Sequence, residues 1–160
     1  KEIVRITNKK SVNLFAEALG NLVTVGDFPV RCCSMLHEIG VDTSGIVLRD
    51  ACGLSVVNTV PAAVFSDLLL WAYKELGWDF VASLPLAGTD AGLNAYLAAD
   101  PVLKNKLRAK TGSFTGVRCL SGYLTKKNGE VLVFTVLVNH FICSPVLLQK
   151  RIGSFLATLV

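Results

Sequence analysis

For a chain in which 52% of residues are hydrophobic, long apolar runs are absent. Charged or polar residues interrupt every such run well short of the roughly eighteen residues that a spanning helix requires. The longest runs, residues 131–138 and 68–73, have strand or helix length. Charge is also scarce, at 18%, with 16 Lys and Arg against 12 Asp and Glu for a net charge of +4. The basic residues are scattered apart from Lys9-Lys10 and Lys126-Lys127, so the chain carries no electrostatic footprint for a nucleic acid. Histidine is confined to His37 and His140, far apart and outside any H-E-x-x-H pattern, and neither a metal centre nor a cofactor is implied. Cysteines 32, 33, 52, 119 and 143 never take C-x-x-C spacing. Their odd number and vicinal pair argue against a disulfide scaffold, and they are expected to be buried as small hydrophobes. The sequence begins at Lys1 with neither an initiator Met nor a basic-then-apolar leader, and is read as cut from something longer.

What is present suffices for a folded domain. About a hundred and fifty residues bury roughly two-thirds of the surface they expose when unfolded, and a mean hydropathy of +0.53 excludes a disordered chain. Residues 11–23 carry Leu14, Phe15, Ala18, Leu19 and Leu22 at helical spacing, with Ser11 at the N-terminal cap position. A second helix is expected after Asp27, where Pro29 suits the first turn and Gly40 the stop. A third spans residues 61–76, with Thr59 as its cap and Gly77 at its end. Between them lie a short strand-like segment, residues 45–48, and turn-rich residues 50–55. Beyond a looped region around Pro85, Gly88 and Gly92 the pattern alternates. Residues 106–111, 117–125 and 130–140 read as strands, the last two joined by a tight hairpin at Lys126-Lys127-Asn128-Gly129. The run Val131-Leu132-Val133-Phe134 predicts a strand covered on both faces. After Ser144-Pro145, the spacing of Val146, Leu147, Ile152, Phe155, Leu156 and Leu159 predicts a closing helix packed on that sheet. The whole reads as one α+β unit: helices, then a three-stranded antiparallel segment, then a C-terminal helix.

Two general enzymatic signatures are missing. There is no G-x-x-x-x-G-K-[ST] phosphate loop, and G-x-S-x-G has only the near misses Gly53-Leu54-Ser55 and Gly112-Ser113. The informative tripeptide is Lys110-Thr111-Gly112, followed by Ser113, which chance supplies in roughly one chain in thirty of this length. Upstream, at a helix start, stands the S-x-N triplet Ser11-Val12-Asn13. Their order matters, because one class of serine acyl transfer uses S-x-x-K, then S-D-N or a relative, then K-T-G. A Ser hydroxyl touching a Lys ammonium can relay a proton to a leaving amine. An amide such as Asn13 can hold a substrate carbonyl in register. A strand bearing Lys-Thr-Gly can pair with an extended peptide, Gly112 permitting close approach, while Thr111, Ser113 and the Lys110 charge receive a C-terminal carboxylate. The Ser113 N–H is a candidate oxyanion donor. Asp50 and Asp90 are read as loop-capping carboxylates, and Cys52 as a buried or tolerated thiol.

Four ordered blocks extend these triplets: Asn8-Lys9-Lys10-Ser11-Val12-Asn13-Leu14-Phe15-Ala16-Glu17; Asp50-Ala51-Cys52-Gly53-Leu54-Ser55; Ser83-Leu84-Pro85-Leu86-Ala87-Gly88-Thr89-Asp90; and Ala109-Lys110-Thr111-Gly112-Ser113 with Gly116-Val117 and Ser121-Gly122-Tyr123. Together they resemble the C-terminal half of the low-molecular-mass class C penicillin-binding proteins, the D-alanyl-D-alanine carboxypeptidase/endopeptidase family, over nearly the whole chain. The chain departs from the family pattern at Asp50-Ala51-Cys52, where Asp-Gly-Ser is usual, and at Asp90-Ala91, where Asp-Gly is usual. The resemblance implies part of a penicillin-binding/serine β-lactamase-like transpeptidase fold, with residues 1–160 forming the C-terminal portion of one DD-peptidase domain. It gives Ser11 the passing of a proton toward the leaving D-alanine and Asn13 the positioning of substrate. Lys110 would sustain the relay and attract the carboxylate, with Thr111, Gly112 and Ser113 binding it. The family's nucleophile and general base belong to an S-x-x-K that normally precedes S-x-N. No serine in this sequence is followed three residues later by lysine, and Thr7-Asn8-Lys9-Lys10 is a threonine version in the wrong place.

The function so implied is a serine-type D-Ala-D-Ala carboxypeptidase acting on peptidoglycan stem peptides through an acyl-serine intermediate. This chain would supply the S-x-N and K-T-G motifs without the nucleophile, and would be inactive by itself. The alternative is a non-catalytic penicillin-binding-like module that recognises D-Ala-D-Ala or muropeptides; a domain that keeps only the fold is a third reading. Expected partners are stem peptides ending in D-Ala-D-Ala, β-lactam antibiotics as inhibitors and the N-terminal half of the same protein, in the periplasm or cell envelope of a bacterium. In the family fold the sheet also holds strands from the N-terminal end beside the Lys-Thr-Gly strand, and the nucleophile's helix packs between the sheet and the Ser-Val-Asn helix. Half of a larger core would look this apolar when counted alone, so the isolated chain is expected to expose an apolar patch and self-associate.

Overall fold

The computed structural model describes residues 1–24, 27–97 and 100–160. Helix α1 (Glu2–Lys10) buries none of its residues, and its three apolar residues Ile3, Val4 and Ile6 are too few for a repeat to announce it. Ser11 closes α1 in the left-handed conformation, its N–H bonded to Thr7 O, and α2 (Asn13–Thr24) starts two residues later. Ser11 is therefore the end of one helix and not the N-cap of the next, as its position before an apolar stripe suggested. The stripe itself is turned outward: α2 buries Gly20 and Thr24, while Leu14 and Leu22 are 74% and 76% exposed. Helix α3 (Phe28–Glu38) begins as expected, with Asp27 accepting the Val30 N–H and Pro29 in the first turn.

Residues 45–48 form no strand, only a single bridge between Val47 and Thr59. Pro61, not Thr59, caps α4 (Ala62–Glu75), because the Thr59 hydroxyl is turned to Val57 O. Gly77, at φ 64, ends α4 and at the same step opens a further short helix, α5 (Gly77–Ser83). The looped region contains 3-10 turns at Ala91–Leu93 and Pro101–Leu103 and the one-turn α6 (Asn94–Leu97).

Three antiparallel strands follow in the order β1 (Leu107–Phe114), β2 (Val117–Thr125), β3 (Val131–Asn139). The β1 ladder runs on past residue 111, pairing Gly112 with Cys119 and Ser113 with Arg118. The β2–β3 hairpin closes through Gly129 N–H to Lys126 O (3.1 Å) and Lys126 N–H to Glu130 O (2.8 Å), with Gly129 at φ 83. This is the three-residue loop with a left-handed glycine, in place of a two-residue turn. Ser144 caps α7 (Pro145–Ala157) by accepting the Leu147 N–H.

Strand alternation divides the core. One sheet face packs Leu107, Ala109, Leu120 and Leu124 against Leu93, Tyr96 and Leu103 and against Leu148, Ile152 and Leu156 of α7. The other packs Tyr123 against Leu69 of α4 and Val81 of α5, and the buried Tyr123 hydroxyl donates to Leu69 O at 2.7 Å. Strand β3 is covered on both faces, as its unbroken apolar run predicted: Leu132, Phe134 and Val136 join the first cluster, and Val131 and Val133 the second. Its outer edge pairs with no strand among the described residues. All five cysteines are free and half-buried rather than fully buried; Cys32 and Cys33 lie on α3, which has no fully buried residue. Among the described residues no helix is long and apolar enough to cross a membrane.

Candidate functional site

Two motifs 99 residues apart meet in one contact. Lys110 Nζ donates to Ser11 Oγ at 2.8 Å and to Thr111 O at 3.0 Å. The sequence builds each side differently. Ser11 sits at the α1–α2 corner with φ 53 and ψ 51, a region a non-glycine residue enters only at a cost of about 1 kcal/mol. Lys110 belongs to the central part of β1, where register fixes it opposite Ser121. Burial lowers the Lys110 ammonium below the ordinary lysine range, so it parts with a proton more readily than an exposed lysine would. Asn13, the first residue of α2, is exposed, and its side chain makes no hydrogen bond among the described residues.

The outer edge of β1 is shared between the fold and open space. Ala109 N–H donates to Pro85 O (3.1 Å) and Ala87 N–H to Leu107 O (2.9 Å), so residues 85–87 cover the first part of that edge. Backbone groups of alternate residues point the same way along a strand. Thr111 and Ser113 therefore present their N–H and C=O groups outward beyond the covered part, where an extended peptide could pair. The same alternation sets the side chains apart: Lys110 and Gly112 stand on the Tyr123 face of the sheet, and Thr111 and Ser113 on the other. A Cβ at Gly112 would meet only Cys119 Cβ, at 3.6 Å, so the interior does not require glycine there. A Cβ at Gly122, opposite Ala109, would lie 2.1 Å from Arg108 O; this glycine is what lets β2 approach the Lys-Thr-Gly strand.

Two residues that the motifs do not contain support this geometry. Lys9 Nζ contacts Asp90 Oδ2 at 2.9 Å, and the same oxygen accepts the Leu86 N–H at 2.8 Å. Burial pushes the Asp90 carboxyl up, but Leu86 N–H and Lys9 outweigh it and hold it below its ordinary value. Asp90 is thus a loop-capping carboxylate, as read, with a lysine added. No spacing in the sequence pointed to Lys9 as the partner, which lies 81 residues away. Asp50 also caps a loop, accepting from Gly53 N–H, Ser55 N–H and Asn58 Nδ2. Beside it Glu17 accepts from the Ala51 and Cys52 N–H groups. Glu17, Asp50 and Cys52 place ligand atoms within 4.8 Å of one another. The carboxylates are already engaged by loop N–H donors, and burial raises the Cys52 thiol; the cluster is a loop clasp.

The chain is similar to known proteins in sequence and fold. The model of the D-Ala-D-Ala carboxypeptidase 3 (S13) family matches residues 1–154. The carboxypeptidase DacB of Mycolicibacterium smegmatis is 36% identical over 131 residues, which cover 78% of this chain and 28% of that one. Penicillin-binding protein 4 (dacB) of Haemophilus influenzae, solved in complex with a β-lactam, superposes with a TM-score of 0.86 at 25% identity, over 99% of this chain and 40% of that one. The TLA-1 extended-spectrum β-lactamase superposes with a TM-score of 0.75 at 18% identity, over 99% of this chain and 62% of that one, a likeness of fold. The chain spans about a quarter to a third of the length of the curated relatives it matches.

Proposed function

The chain belongs to the D-Ala-D-Ala carboxypeptidase 3 (S13) family, and on that premise we propose that its parent protein is a serine-type D-Ala-D-Ala carboxypeptidase. It acts on peptidoglycan stem peptides in the periplasm or cell envelope of a bacterium, through an acyl-serine intermediate, and β-lactams inhibit it. In this reading residues 1–160 are the C-terminal portion of the catalytic domain, and the nucleophile and its lysine lie in an S-x-x-K outside them.

The observation that supports this reading is the 2.8 Å contact from Lys110 Nζ to Ser11 Oγ. Because Ser11 Oγ accepts from Lys110, its own hydroxyl proton is free to point elsewhere. When the nucleophilic serine adds to the carbonyl of the D-Ala-D-Ala bond, its proton passes to the lysine of its S-x-x-K, and the departing amine needs a proton of its own. Ser11 gives it and Lys110 replenishes Ser11; water then hydrolyses the acyl-enzyme. Asn13, two residues from Ser11, holds the substrate backbone. The open backbone groups of Thr111 and Ser113 pair with the peptide, the Lys110 charge attracts its carboxylate, and the Ser113 N–H faces the developing oxyanion.

Fluorescent penicillin applied to the full-length gene product tests the reading. A covalent label on a serine of an S-x-x-K is expected, and the 160-residue chain alone takes none. A full-length sequence with no S-x-x-K and no label would remove the enzyme and favour the alternative, a module that binds D-Ala-D-Ala or muropeptides reversibly and loses binding on Lys110→Ala.

A further inference from the structure

Ser11 stands at the end of a helix with no buried residue, so apolar packing does not fix where its hydroxyl lies. Among the described residues, three polar tethers bind α1 and the Lys1 before it to the segment that follows α4. Lys1 pairs with Asp79, but both side chains are largely exposed, at 89% and 73%. Asn8 Nδ2 donates to Ser83 Oγ at 2.9 Å. Lys9 pairs with Asp90, where the side chains are only 19% and 21% exposed. The second tether reaches β1 only through long contacts beside Ser83, from Arg108 to Ala82 O at 3.5 Å and Leu84 O at 3.4 Å, whereas the third continues to the other half of the site through short ones. Asp90 Oδ2 holds the Leu86 N–H, and Asp90 N–H donates to Leu86 O, both at 2.8 Å. The adjacent Pro85 O accepts the Ala109 N–H at 3.1 Å. One chain of contacts therefore runs from Ser11 through Lys9, Asp90 and residues 85–86 to Ala109 and Lys110.

We propose that Asp90, acting through Lys9, is a positioning residue that sets the separation of Ser11 from Lys110. The inference rests on the functional reading above for its kinetic consequence, and on the contact chain alone for its geometry. Neither side chain is free to bind substrate, since Asp90 is committed to Lys9 and Leu86. Their effect reaches the reaction only by placing the hydroxyl that protonates the leaving group. Displacement of about 1 Å at such a group costs up to a hundredfold in rate.

The test uses the full-length gene product with Asp90→Asn, Lys9→Met, Asp90→Glu and, as a control tether, Lys1→Met. Turnover of a D-Ala-D-Ala peptide is measured per folded molecule, and the Lys110 ammonium resonance is followed by lysine-selective NMR. For Asp90→Asn and Lys9→Met, kcat falls about ten- to a hundredfold while KM stays within about twofold. Asp90→Glu restores much of kcat, Lys1→Met changes nothing, and the Lys110 resonance of Asp90→Asn moves as it does in Ser11→Ala. Unchanged kcat per folded molecule, or a loss that tracks only the folded fraction and is not rescued by Asp90→Glu, would overturn the proposal. If the wild type shows no turnover, the functional reading fails and the resonance decides the inference: a Lys110 signal identical in wild type and Asp90→Asn overturns it.

Discussion

At the scale of single residues, Ser11 and Lys110 form one device, and substitutions should reveal this as non-additivity. Lys110→Met removes the donor and Ser11→Gly the acceptor, the latter at a position whose left-handed backbone glycine adopts without strain. Each is expected to slow penicillin acylation of the full-length protein about a hundredfold. The double variant should be no slower than the worse single, because groups acting as a unit fail together. Losses that multiply would mean that the two side chains act separately. Ser11→Gly should also leave thermal stability unchanged or slightly higher. Acylation of the wild type should fall with rising pH as Lys110 loses its proton. Burial lowers its pKa, so the limb comes at a lower pH than an exposed lysine would give, and Lys110→Met should abolish it. The pair was legible in the sequence because a motif fixes residue type and order. Lys9 and Asp90 were not, since an ion pair 81 residues apart leaves no local pattern.

At the scale of elements, legibility followed burial. The strands and α7 have alternating or helical apolar faces that reach a core, and they appeared at nearly their expected positions. Helix α1 presents Ile3, Val4 and Ile6 but buries none of its residues, and nine residues that include polar Glu2, Arg5, Lys9 and Lys10 are too few to set a repeat. The α2 stripe was read correctly as helical, but spacing identifies a helix without saying what it faces. Within β1 and β2 the sequence offers two glycines of different meaning. Gly122→Ala places a methyl against the backbone of Arg108 and should cost about 1 to 3 kcal/mol in a denaturant titration. Gly112→Ala meets ordinary contact distances and should be neutral in the same titration. Its methyl, on the Lys110 face beside the open edge, should instead weaken peptide or β-lactam recognition. Equal stability losses for both would show that Gly112 is structural.

At the scale of the whole molecule, the excess of apolar residues has a location. Leu14 and Leu22 on α2 stand in solvent beside exposed Val23, and nine-residue β3 ends the sheet with no charge between Val131 and Val138. An uncharged, unpaired edge of this length is a template for another strand. That long free edge belongs to β3, whereas the outer side of the Lys-Thr-Gly strand is partly taken by residues 85–87; strands supplied by the N-terminal half of the same protein would add at β3. The isolated 160-residue chain should bind a hydrophobic dye and sediment as dimers or larger species, and a monodisperse, dye-silent monomer would contradict this. Composition alone could not separate an oily surface from a large core, because both count the same residues. The Leu86 bridge carries a consequence for which partners can add to this sheet. Past it, β1 offers only Thr111 and Ser113 facing outward, a berth of about 7 Å at the rise of an extended strand. A berth that short seats the last residues of a chain and refuses a whole strand, so the molecule is sticky on one flank and selective on the other.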